Sequence, residues 1–195
     1  MSRPPRKKAA RKSPAERSAE IADAARAVAV EHGLYGVTLR SVAARIDVAP
    51  ALVAHYQPNM DVLVASTFGA IVSDELAELQ DLVGPLPTPS AQLADLLDTL
   101  LDGTRDDVTV IWVEAWALGR RNEALAQRVR EEMDDWRAFV QGIVQAGVVA
   151  RTQFGQRQLD VGERAVVVEG EGARGGDGAH GGREGRHDEG NLWTG

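Results

Sequence analysis

Between Val37 and Tyr56 the chain reads VTLRSVAARIDVAPALVAHY, and this stretch limits the possible fold more than any other. Leu39, Val42, Ala43 and Ile46 recur at helical spacing, and Val48, Leu52 and Val53 form a second apolar set. The spacing leaves room for one short helix, a turn of about three or four residues and a second short helix, as in a helix-turn-helix. Thr38 is positioned to cap the first of these helices, with Asp47 and Val48 in the turn. The second apolar set would pack its helix onto the preceding ones.

A third helix is predicted just upstream. Ser13-Pro14-Ala15-Glu16 is a capping box with proline at the first helical position, where its missing N–H leaves no bond unmade. Ile21, Ala24, Ala25 and Val28 then give one apolar stripe, and Gly33 is expected to end the helix in a left-handed conformation.

Charge is unevenly distributed along the chain. The formal net charge is -7, but residues 1–58 hold 10 Lys+Arg against 5 Asp+Glu, and residues 59–150 hold 6 against 16. No Lys or Arg falls between Arg45 and Arg105. The arm MSRPPRKKAARK carries six basic residues and no acid, and is expected to be disordered alone. A positive field confined to one end, beside a helix pair of this kind, points to a phosphate backbone at that end and makes double-stranded DNA the leading candidate partner.

The remainder reads as helices. Asn59 is placed to cap a long one through Leu63, Phe68, Ile71, Val72, Leu76 and Leu79. GPLPTP (84–89) is a loop, and Ser90 is expected to cap the next helix, which carries Leu93, Leu96, Leu97, Leu100 and Leu101. A further helix holds Ile111, Trp112 and Trp116, and Asn122 opens a long one towards Ala150. No strand pattern or internal repeat is visible, so the fold class is all-α. After about Thr152 the composition changes: 12 of the 20 glycines fall in residues 151–195, and this tail is expected to be disordered, with only Leu159 to Val168 able to hold a short element.

Several function classes are disfavoured. There is no cysteine, which removes disulfides, thiolate metal sites and cysteine nucleophiles. No apolar run reaches the roughly 18 residues of a membrane span, and no secretory leader follows the basic arm, so a cytoplasmic location is expected. The four histidines are scattered, and no nucleophile elbow, phosphate loop or paired metal-ligand spacing occurs. Neither enzyme activity nor a cofactor is expected.

The run Ile21-Ala22-Asp23-Ala24-Ala25, then Gly33, Thr38, Val42-Ala43, Val48, Leu52-Val53, His55-Tyr56, Pro58 and Leu63, resembles the TetR family of bacterial regulators across its whole DNA-binding domain. The His-Tyr pair is similar to the branch that contains choline-responsive repressors. The resemblance implies an N-terminal three-helix DNA-binding domain (14–58) after a basic arm (1–13), then a helical ligand-binding and dimerisation domain (59–152) and the Gly-rich tail (153–195). It implies a ligand-responsive regulator, most often a repressor, that binds a palindromic operator as a homodimer. By position, Thr38, Arg40, Ser41, Arg45, Ala49, Pro50, Ala51, Leu52, His55 and Tyr56 would form the DNA interface. For His55 and Tyr56 the alternative is a packed core pair.

The sequence departs from the family pattern at four positions. Asp47 stands where the turn usually has glycine, Ala49 where a serine caps the reading helix, Gln57 where an aromatic is usual, and Met60 where a lysine is usual. Arg, Asn and Gln are absent from the reading helix, so specificity would rest on apolar contacts, the arm and DNA shape.

Phe68, Trp112, Trp116 and Trp136 are candidates for a ligand cavity between helices. With Asp95, Asp98, Glu114 and Asp135 nearby in sequence, a cationic or amine effector would suit it. The competing reading places these tryptophans in the core or a dimer interface and the acids on a solvated face. Family members usually add a second long apolar helix to build the dimer. Here Gly, Arg and acidic residues replace it, so dimerisation would rest on the Asn122 helix. A second functional reading is therefore a helical ligand-binding or interaction protein without effective DNA binding, its dimer half truncated or frame-shifted.

Overall fold

A computed structural model describes residues 12–172, and the described residues form helices and connecting turns with no strand. The order is α1 (Pro14–His32), a 3-10 turn (Leu34–Gly36), α2 (Leu39–Arg45), α3 (Pro50–Tyr56), α4 (Met60–Val83), α5 (Pro89–Leu101), α6 (Asp106–Gly119) and α7 (Glu123–Gly172). Compactness divides the chain into two units, Met1–Val149 and Ala150–Gly195.

The helix starts follow from local chemistry. Ser13 accepts from the Glu16 N–H while the Glu16 carboxylate accepts from the Ser13 N–H, at 3.2 and 2.7 Å, completing the expected capping box. Asn59 accepts from the N–H groups of Asp61 and Val62 and starts α4. Helix α5 differs from expectation: its cap is Thr88, which accepts from the Ala91 N–H at 3.2 Å, with Pro89 as the first helical residue and Ser90 already inside. Gly33 has φ 75° but ψ 173°, so it ends α1 in an extended rather than a left-handed helical conformation.

Within Met1–Val149 one core joins Ile21, Ala25 and Val28 of α1, Val42 of α2, Val53 of α3, Leu63, Phe68 and Val72 of α4, Ile111 and Ala115 of α6 and Leu125 of α7. Residues 57–59 connect α3 to α4, and this core includes residues from both sides of the connection. A second cluster, Leu79, Val83, Leu96 and Ile143, binds the end of α4 to α5 and α7. A buried polar link strengthens the α4–α7 contact. The Glu132 carboxylate accepts from Ser73 Oγ at 2.9 Å and pairs with Arg128 at 2.8 Å, and Arg128 lies over Gly69, where any Cβ would collide with it.

Helix α7 is described as continuous to Gly172, past the end expected near Ala150. Residues 151–168 include Arg, Gln, Leu, Val and Glu with glycine only at 155 and 162, so helix formers still outnumber breakers there. The Gly-rich run after Gly172, and the arm before Lys12, lie outside the described residues. No described helix is long and apolar enough to cross a membrane, and no metal-ligand cluster occurs among the described residues.

Candidate nucleic-acid interface and cavity

Helices α2 and α3 hold the expected interface. Thr38 caps α2: its Oγ1 accepts from the Ser41 N–H at 3.1 Å, and Ser41 Oγ accepts from the Thr38 N–H at 2.9 Å. Ser41 Oγ also donates to the Gly36 carbonyl at 2.6 Å, so this residue is engaged in fixing the turn that sets the direction of α2. The connection to α3 passes through Asp47 at φ 52°, the only described non-glycine residue with positive φ, at the position where the family pattern has glycine. Aspartate tolerates this conformation better than most side chains, though less well than glycine. Helix α3 starts at Ala49 with no side-chain cap, and Pro50 occupies its first position.

Exposure sorts the candidates. Thr38, Arg40, Arg45, Ala49, Pro50, Ala51 and His55 are exposed, Ser41, Leu52 and Tyr56 are half-buried, and Val53 is buried. His55 and Tyr56 meet edge-on, ring centroids 5.2 Å apart, with Tyr56 packed on the core and His55 outward. Tyr56 thus follows the packed-core alternative, and His55 does not.

The basic residues of this domain are mostly occupied. Residues 12–58 contain five Lys/Arg and five Asp/Glu, so the entire positive excess of the N-terminal region lies in residues 1–11. Lys12 and Arg17 pair with Glu20, Arg26 with Asp74, and Arg45 with Glu31. The hydrogen bond from Arg45, 2.6 Å long, holds the Glu31 carboxyl below its usual range and raises the guanidinium. Arg40 makes no ion pair among the described residues and remains available to a phosphate.

A cavity of about 310 Å³ lies within the first unit, lined by Trp112 and Trp116 of α6, Met133 and Trp136 of α7, Glu75 of α4 and Arg105 at the entry to α6. Trp112 and Trp116 stand 5.9 Å apart with planes tilted by 46°, and Trp116 is 53% exposed. Phe68 is not part of the lining: it is fully buried in the core, edge-on to Trp112 at 5.1 Å. None of Asp95, Asp98, Glu114 and Asp135 lines it either. The acid that does is Glu75, which sequence reasoning missed. It sits four residues after Ile71 and three after Val72, on the apolar stripe of α4, and that position was the available signal. Burial pushes the Glu75 carboxyl up to about 6, with Arg105 opposing the shift and Asp107 and Glu78 reinforcing it.

Glu114 projects elsewhere. Its carboxylate accepts the Leu34 N–H at 2.5 Å and lies against Gly33, where a Cβ would collide with it. Gly33 is thus required for its positive φ and for this close approach. Helix α6 carries the cavity tryptophans and also grips the connection that leads into α2.

Comparison with known proteins fits this arrangement. No curated protein matches the chain. A TetR transcription regulator from Haloarcula marismortui shares the fold at 24% identity, with a TM-score of 0.59 over 70% of this chain and 72% of its own. The multidrug binding protein EbrR, complexed with proflavin, matches at 25% identity and a TM-score of 0.52 over 72% of this chain and 85% of its own. Residues 21–67, from α1 into α4, match the family model of bacterial regulatory proteins, tetR family. Through residues 21–67 the chain carries the N-terminal domain of bacterial regulatory proteins of the tetR family, the domain of a DNA-binding transcriptional regulator.

Proposed function

We propose that the chain is a ligand-responsive repressor that binds a palindromic operator as a homodimer. The observation that carries the reading is the double duty of α6, which lines a cavity with Trp112 and Trp116 and holds the α1–α2 connection through Glu114. A ligand that re-aims the tryptophans shifts α6, and Glu114 passes the shift to the segment that ends in the Thr38 cap. Helix α4 offers a parallel path, since Glu75 lines the cavity and Leu63 and Phe68 pack in the core shared with α1–α3. EbrR, bound to proflavin, supports a cavity of this fold as an effector site.

At the DNA, α3 presents small side chains, Ala49, Pro50 and Ala51, suited to close approach in the major groove and to contact with thymine methyls. The Thr38 hydroxyl, Arg40 and the basic arm supply phosphate contacts, and His55 reaches the backbone beyond α3. For the dimer, Val144 and Val148 are one helical turn apart on α7 and 48% and 55% exposed, and a second copy would cover them. Hydroxyl-radical footprinting of the DNA flanking the protein's own gene tests this reading. Two protected half-sites separated by about one helical turn, ~10 bp, or a multiple of it are expected. A single protected patch would rule out the dimeric operator.

A further inference from the structure

The cavity contains an incompletely neutralised carboxylate. Glu75 is only 6% exposed, lines the cavity, and accepts no hydrogen bond among the described residues. Its ion pair is a long one, 3.8 Å to Arg105, and the same guanidinium stands closer, at 3.4 Å, to the exposed Glu78. The charged groups that act on Glu75 are Arg105, Asp107 and Glu78, and Arg105 is shared between Glu75 and Glu78. Trp112, Trp116, Trp136 and Met133 make most of the remaining wall, with Leu100, Val113 and Thr109 completing it. A buried carboxylate in such a place favours a partner that brings positive charge and apolar surface together, and tryptophan faces favour the same cation. An anion would meet a local excess of acids, and a neutral body would leave the long Glu75–Arg105 pair as it is.

Resting on the reading of this cavity as the effector site, we propose that it takes a small organic monocation, a protonated amine or amidine on an aromatic or apolar body. The charged group sits beside Glu75, in the place that Arg105 serves at a distance, and Arg105 is left to Glu78. Arg105 is then a resident competitor rather than a ligand contact, which separates this inference from a merely structural ion pair.

The test is titration of the full chain, followed by tryptophan fluorescence and calorimetry, with 4-phenylbutylamine and with 4-phenylbutanol, its neutral counterpart of similar shape. The amine should bind roughly tenfold more tightly than the alcohol, the size expected of one charge-assisted contact. Glu75→Gln should abolish that preference, and Arg105→Gln should enlarge it because a competing cation is gone. Loss of fold would not enlarge it. Between about pH 8 and about pH 5 the amine stays protonated, so weaker binding at the acid end reports protonation of Glu75. Equal binding of amine and alcohol to the unaltered protein, or a preference that survives Glu75→Gln, overturns the monocation and leaves the cavity as an effector site. Binding of neither compound overturns the effector reading as well.

Discussion

Arg40 is the residue at which the charge argument becomes specific. It is exposed and unpaired among the described residues, whereas Arg45, on the same helix, is held by Glu31. Arg40→Ala should therefore lower the slope of log K against log salt by about 1 with little dependence on DNA sequence, and Arg45→Ala should lower it less. Fluorescence anisotropy over a salt series distinguishes the two, and equal slopes would contradict the assignment. At Glu75 the sign of the pH effect is fixed by the raised folded-state value. Folding favours the protonated carboxyl, so its contribution is best below the ordinary 4.5 and is lost as pH rises through about 6. Glu75→Gln should raise the melting temperature near pH 8 and not near pH 4, by calorimetric scans at both. Thr38 was legible in the sequence because Thr-x-x-Ser is a local pattern. Glu75 was not, because an acid on an apolar stripe reads as a helix-edge residue until the neighbouring helices are placed.

At the scale of elements, the helix starts show what local sequence encodes. Helices α1, α3 and α5 each begin with proline, so the cap is the residue before it: Ser13, Ala49 and Thr88. At α5 the pattern is ambiguous in sequence, because Thr88 and Ser90 flank Pro89 and are both good capping types. The end of α7 was misplaced for a different reason, because glycine content over the whole tail hid a stretch of helix formers at 151–168. The link between α6 and the α1–α2 connection could not be read from sequence, since Glu114 and Leu34 are 80 positions apart. It carries a prediction. Glu114→Ala should destabilise the protein by about 1–3 kcal/mol, since the Leu34 N–H loses a charged acceptor. It should also leave 4-phenylbutylamine binding intact while reducing its effect on DNA affinity. Denaturant unfolding and DNA titration with and without the amine measure both, and unchanged release of DNA would contradict α6 as the transmitting element.

Across the whole molecule, the positive field and the scaffold are separate parts. Residues 12–58 balance their own charges, five against five, and residues 1–11 hold the surplus. Ile21, Ala24, Ala25, Val28, Val42, Ala43 and Val53 follow from periodicity, which is why the all-α fold was legible, whereas Leu34 and Val37 enter the core from the α1–α2 connection, where no helical period marks them. The cavity depends on long-range packing of α4, α6 and α7, and only its tryptophans were foreseen. This scaffold, assisted by the arm, is expected to recognise particular DNA. The most direct measurement is binding of the full chain to the DNA flanking its own gene, in competition with scrambled DNA of the same length and base composition, at low and moderate salt. A preference of at least about 10³ for the flanking DNA is expected to persist as salt rises, with affinity for both falling. Equal affinity for the two at every salt concentration would contradict it.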